Sequence, residues 1–223
     1  TDSDILNAAV TTDNVNAKIH NIETINVTGE YIKTGLNLTN VSGTKTLNLD
    51  TKIAGGTANV TAANSIDAAA IKAGANISTL DITSLSSGTR DTVTVDGRNA
   101  NVKLTGKVGG ADKYSVTIAK DKTLTANTMD SSGDELTVNA SNNFALTTDA
   151  TGIATATINN TGSAAITVTA TSATAADIAT KLNLSGNAVT LKGDANVFAG
   201  TGLLAANGGV EVTSTATKST IEL

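Results

Sequence analysis

The chain has 223 residues, 40 of them Thr, with 39% hydrophobic residues and a formal net charge of −5. It contains no Cys, Pro or Trp, two Tyr, two Phe and a single His, which excludes disulfides and thiolate metal sites. Its 15 Lys and Arg are scattered, whereas binding a nucleic-acid backbone calls for clustered cations, and no apolar run approaches the ~18–20 residues of a membrane span.

In chain order, the opening TDSDILNAAV has neither Met nor the basic start of a leader, so the chain reads as a segment of a longer protein. Residues 1–22 are weakly periodic and are expected to form an N-terminal cap or linker, with DILNAAV as a helical turn over the first coil's edge. His20, the sole imidazole, has no nucleophile elbow beside it and reads as a partly exposed residue ahead of a strand.

The stretch NIETINVTG (21–29) is the first clear strand. Ile25 and Val27 would point inward, Thr24, Asn26 and Thr28 outward, and Gly29 would begin a turn. Glu23, at the strand's entry, suits capping of backbone N–H groups. Ile22 would pack against the N-terminal cap. Thr and Val favour this half-buried, pleated setting because branching at Cβ restricts χ1.

From there apolar–x–apolar pairs recur along the chain. Leu36, Ala58, Leu80, Val102, Leu124 and Leu146 are each 22 residues apart, and Ile166, Val189 and Val210 continue at steps of 20–23. A fixed period of this length is the mark of a solenoid. Each unit would hold two short strands, such as TLNLD (46–50) and TVTVDG (92–97), joined by turns of Gly, Asn, Asp and Ser. Equivalent strands would then stack in parallel at about 4.8 Å per coil, giving roughly eight coils and a rod of about 40 Å. The expected fold is all-β: a parallel β-solenoid of ~22-residue coils over residues 23–223, with one or two short helices. The lack of Pro agrees, since a stacked strand needs its N–H. The alternative is an antiparallel β-sandwich, whose strands also recur every ~8–12 residues.

Two segments depart from pure strand. NSIDAAAIKAG (64–74) has Asn64 as an N-cap and Gly74 at the far end, so it reads either as a short helix or as the strand that the period demands. TSATAADIATKL (171–182) coincides with an oversized step and reads as a helix or loop excursion.

Signs of chemistry are few. Carboxylate pairs such as Asp91/Asp96 and Asp130/Asp134 fit turn residues that bond their own backbone, and no enzyme activity is expected. Polysaccharide cleavage on a β-helix is the minor alternative, but the aromatic residues Tyr31, Tyr114, Phe144 and Phe198 are scattered. Three segments keep Gly before Asp in the manner of the calcium-binding nonapeptide GGxGxDxUx: VGGADKYSV (108–116), SSGDELTV (131–138) and KGDANVF (192–198). None is complete. Asp112 and Asp134 are therefore weak Ca²⁺ candidates, with no other cofactor expected.

HNIETINVTG, preceded by DILNAAVTTDNVNAKI, resembles an element of Gram-negative surface-layer proteins and large adhesins of the RTX-related, type I-secreted group. In that group a D-x-(I/L)-N stretch leads into a similar strand, followed by Thr/Asn-rich strands. The likeness covers roughly residues 4–29, and beyond them it is one of composition. The tandem GGxGxD block is missing, which puts strong calcium dependence of this segment in doubt. The resemblance implies an extracellular protein at the bacterial cell surface, self-assembling with identical subunits and attached to surface polysaccharide through another part of a longer chain. An adhesin stalk or binding module is the alternative role, with 64–74 and 171–182 as its contact loops.

Overall fold

The computed structural model describes residues 3–12, 15–61, 63–66, 70–88, 92–106, 109, 111–127, 133–148, 153–172, 181–193, 211–214, 216 and 218–222. Among them the chain is a parallel β-solenoid with almost no helix. Two ten-stranded sheets face each other, and the chain alternates between them. The first sheet stacks Ile5–Ala9, Thr24–Thr28, Thr46–Asp50, Ala70–Ala73, Val93–Asp96, Lys113–Ile118, Glu135–Ala140, Thr155–Asn160, Lys181–Gly186 and Glu211–Ser214. The second stacks Val15–Asn16, Leu36–Asn37, Gly56–Thr61, Ile77–Leu85, Asn101–Gly106, Thr123–Asn127, Phe144–Thr148, Ile166–Ser172, Val189–Gly193 and Ser219–Glu222. A small third side pairs Ile19–His20 with Val41–Ser42. Among the described residues no helix is long and apolar enough to cross a membrane.

Alternation builds the core. Ile25 and Val27 are buried and Thr28 is exposed, as period-2 side-chain placement requires. Leu47/Leu49, Val93/Val95 and Leu136/Val138 stack inward in the first sheet, opposite Leu80/Ile82, Val102/Leu104 and Leu124/Ala126 in the second. The inward side chains are mostly aliphatic and small. Tyr114 and Phe144 are the large exceptions; Tyr114 is only 1% exposed and satisfies its hydroxyl by donating to the Leu85 carbonyl at 3.0 Å.

The 22-residue register holds from Ala58 through Leu80, Val102 and Leu124 to Leu146. It slips at both ends. Leu36 lies opposite Val60 and not Ala58, and Leu146 lies opposite Ala170. Ile166 does pair with Val189, but the next rung of the second sheet is Ser219–Glu222, and Glu211–Ser214 joins the first sheet. Val210 lies outside the described residues. Coil length thus ranges from 19 residues, between Leu6 and Ile25, to 30, between Leu182 and Val212. Strand stacking fixes the rise per coil, while surface turns absorb extra residues at small entropic cost.

Other expectations resolve locally. Ile5–Ala9 within DILNAAV is a strand paired with Thr24–Thr28, not a helical turn, because it completes the ladder that the first coil would otherwise leave open. In 64–74 the chain makes a 3₁₀ turn at Ala63–Ser65 and then the strand Ala70–Ala73 demanded by the period. Most of 171–182 lies outside the described residues.

Candidate functional site

Among the described residues, two features gather polar side chains. The first is a corner at the entrance to the first sheet, and it contains both sequence-predicted candidates. Asp112 and Asp134 precede strands that pair Lys113 with Glu135, so they occupy the same position on successive coils. They are 4% and 1% exposed. The ladder continues through their backbones: Glu135 N–H donates to the Asp112 carbonyl at 2.8 Å, and Thr155 N–H to the Asp134 carbonyl at 3.1 Å. The Asp112 N–H in turn donates to Asp134 Oδ1 at 3.0 Å.

The Asp112 carboxylate braces the preceding coil. Its Oδ1 accepts from Ser87 Oγ at 2.7 Å, Ser87 N–H at 2.8 Å and Ser86 Oγ at 2.9 Å, with Gly88 N–H farther off at 3.4 Å. Tyr114 Oη lies 3.4 Å from Oδ2. Burial alone would raise this carboxyl's pKa, but the donors from Ser87, Ser86 and Gly88 outweigh it and hold the group below the usual aspartate range. The arrangement is that of a charged staple between coils. Among the described residues, no three His, Asp or Glu side chains gather as a metal cage.

The second feature is the outer face of the first sheet. Its register aligns Asn7, Asn26, Asn48, Lys72, Asp96, Thr117, Asn139, Asn159 and Ser185 in a single column. Side-chain amides link neighbouring coils along it. Asn26 Nδ2 donates to Asn7 Oδ1 and Asn48 Nδ2 to Asn26 Oδ1, both at 2.7 Å. Asn159 Nδ2 donates to Asn139 Oδ1 at 2.9 Å, and Asn139 Nδ2 to Ser115 Oγ at 3.0 Å. Lys72, Asp96 and Thr117 interrupt the ladder, and the Ser115 that Asn139 reaches lies beside the column, two residues before Thr117.

Beside that interruption lies a groove of about 290 Å³ over four successive coils. Two sets of residues line it: Asn26, Asn48, Lys72 and Asp96 in the column, and two residues further along each coil Thr28, Asp50, Gly74 and Arg98, the last in the turn after Val93–Asp96. Both carboxylates are held by backbone donors. Asp50 Oδ1 accepts from Thr51 N–H at 2.9 Å and Asn76 N–H at 3.2 Å, and Asp96 Oδ1 accepts from Arg98 N–H at 3.0 Å. Gly74 has no side chain because a Cβ there would overlap the Asp50 carboxyl. Among the described residues neither Lys72 nor Arg98 is in an ion pair.

His20 lies apart from both features, exposed, with Nδ1 2.9 Å from Ser42 Oγ on the next coil. Of the remaining carboxylates singled out by sequence, Asp96 makes the expected turn bond, while Asp91 and Asp130 lie outside the described residues. Sequence reasoning missed Ser86 and Ser87 as donors and the asparagine column. The column had a readable signal, since Asn26 and Asn48 are themselves 22 residues apart. No protein-family model, curated protein or solved structure matches this chain.

Proposed function

We propose that the chain is a structural module of an extracellular, surface-layer type scaffold, working through contacts between identical subunits. The observation supporting this is the form of the first sheet: a stack of parallel strands with a hydrogen-bonded amide column along its outer face. Such a column ties coils together in two stretches, Asn7 to Asn48 and Asn139 to Asn159, and presents a repeating polar surface, which suits a load-bearing element packed side by side with others. The resemblance of residues 4–29 to surface-layer proteins and adhesins supports the same reading. Calcium would act between subunits in this scheme, since the Asp112 oxygen Oδ1 is already engaged by serine and backbone donors.

The test is electron microscopy of the purified protein with and without millimolar Ca²⁺. Ordered sheets or filaments are expected; a protein that stays dispersed in both conditions would count against the scaffold. A second reading, a binding module on an adhesin stalk, draws on the groove beside Lys72 and Arg98. Glycan-array binding by a chain that forms no assemblies would favour it.

A further inference from the structure

The groove and the rows that line it have a symmetry property that suggests an occupant. The first row reads Asn26, Asn48, Lys72, Asp96 up the coils, and the second reads Thr28, Asp50, Gly74, Arg98. A twofold axis laid along the solenoid between the two rows exchanges them while keeping each coil opposite its own counterpart. Asp96 then meets Arg98 of a second copy, and Arg98 meets its Asp96. Asn48 faces Asp50, an amide donor against a carboxylate whose Oδ2 accepts no hydrogen bond among the described residues. Asn26 faces Thr28, and the Lys72 side chain comes over Gly74, where the Asp50 carboxyl occupies the space a Cβ would take.

Every polar group in these two rows therefore meets a complementary partner, Lys72 among them through the Asp50 carboxyl beside Gly74. Shifting the axis onto the first row would set Lys72 against Lys72 and Asp96 against Asp96, so charge selects one register over its neighbour. The axis runs near one edge of the sheet, so the facing strip is at most about three residues wide; over nine or ten coils it covers about 400 Å² per copy, the size of a weak, reversible contact.

We propose that the outer face of the first sheet is an isologous interface with a second copy of this chain, two rods lying side by side in parallel with coil facing the same coil. The proposal rests on the self-assembly reading above and names the surface responsible for one of its contacts. Lys72 and Arg98, outside any ion pair among the described residues, are the cations that the second copy's Asp50 and Asp96 neutralise.

Sedimentation velocity over a concentration series tests it with R98E, D96K and their mixture. Each variant alone sets like charges against each other twice across the axis, and its dimer dissociation constant is expected to rise at least about tenfold. Mixing the two restores opposite charges at both places, so heterodimers are expected at near wild-type affinity, a recovery in trans that a folding defect cannot produce. Raising the salt concentration should weaken the wild-type dimer. A K103E control on the second sheet should dimerise like wild type. Wild type that dimerises while both single variants are unaffected, or a mixture that shows no recovery, would overturn this face and leave the scaffold reading standing. A wild type that is monomeric at about 1 mM would also overturn it, whereas the scaffold reading is decided separately by the presence or absence of sheets in the microscope.

Discussion

Replacing Asp112 by Ala should be among the most damaging single polar changes in the chain. The substitution removes an acceptor that takes two bonds from Ser87 and one from Ser86, with Gly88 nearby. Ser87 is itself only 4% exposed, so its N–H and hydroxyl would lose their acceptor where water cannot readily replace it. A buried donor left unsatisfied costs about 1–3 kcal/mol, and a hydrogen bond to a charged group contributes about 1.5–3 kcal/mol. Ser86, being only partly buried, can recover solvent, so the total for D112A is about 3–5 kcal/mol. D112N keeps an oxygen facing Ser87 and gives up only the charge, which should cost about 1–2 kcal/mol. The order of stability is therefore wild type, then D112N, then D112A.

The same group makes a pH prediction. Its folded-state pKa lies below the ordinary aspartate value of about 3.9. As pH falls, the unfolded chain takes up this proton before the folded one does. The stabilisation is complete above about pH 4 and is lost as pH drops through the folded pKa. Equilibrium urea unfolding followed by circular dichroism, from about pH 2.5 to 7, would measure both effects, and hydrogen exchange at Ser87 and Gly88 would localise them. D112N should show a shallower loss of stability in acid than wild type. A cost for D112A below about 0.5 kcal/mol, or identical acid profiles for wild type and D112N, would refute the staple.

Other perturbations probe the remaining layers of the fold. N48A breaks the amide ladder on one face and should cost about 1 kcal/mol by the same unfolding assay. G74A forces a methyl group against the Asp50 carboxyl and should cost about 1–3 kcal/mol, most of it recovered in a G74A/D50A double variant. L124A opens a cavity at a fully buried rung and should cost about 2–5 kcal/mol. At the N-terminal edge, Glu23 accepts from Asp4 N–H at 2.9 Å. That bond, its own backbone N–H and the charge of Lys45 hold its carboxyl below the usual glutamate range against the effect of desolvation. Its hold on the first strand should therefore weaken only as pH falls below about 4.3, and E23Q should speed amide exchange in Ile5–Ala9 at neutral pH.

Alternation and period were legible because they are local. A strand places successive side chains on opposite faces whatever it pairs with, so Ile25 and Val27 could be assigned inward from their spacing alone. The 22-residue period from Ala58 to Leu146 is likewise a property of the chain, and it identified the solenoid. It also put Asp112 and Asp134 at equivalent places, while the serine donors to Asp112, which come from the preceding coil, left no mark in the Gly–Asp pattern. The slip that sets Leu36 against Val60 was not legible, since it depends on how much chain the 3₁₀ turn Glu30–Lys33 takes up before the next strand begins.

The sequence by itself determined the class of fold, the inward and outward faces of each strand and the thin aliphatic core, all of which follow from side-chain periodicity and volume. Only the tertiary structure decided which surfaces those faces compose. Ser86 and Asp112 are 26 residues apart yet bonded, and Asp50 and Arg98 line one groove from different coils, because stacking converts sequence distance into a rise of about 4.8 Å per coil. A one-pair change of register would have moved every such neighbour, and register is fixed by turn lengths and core fit together, which no single stretch of sequence specifies.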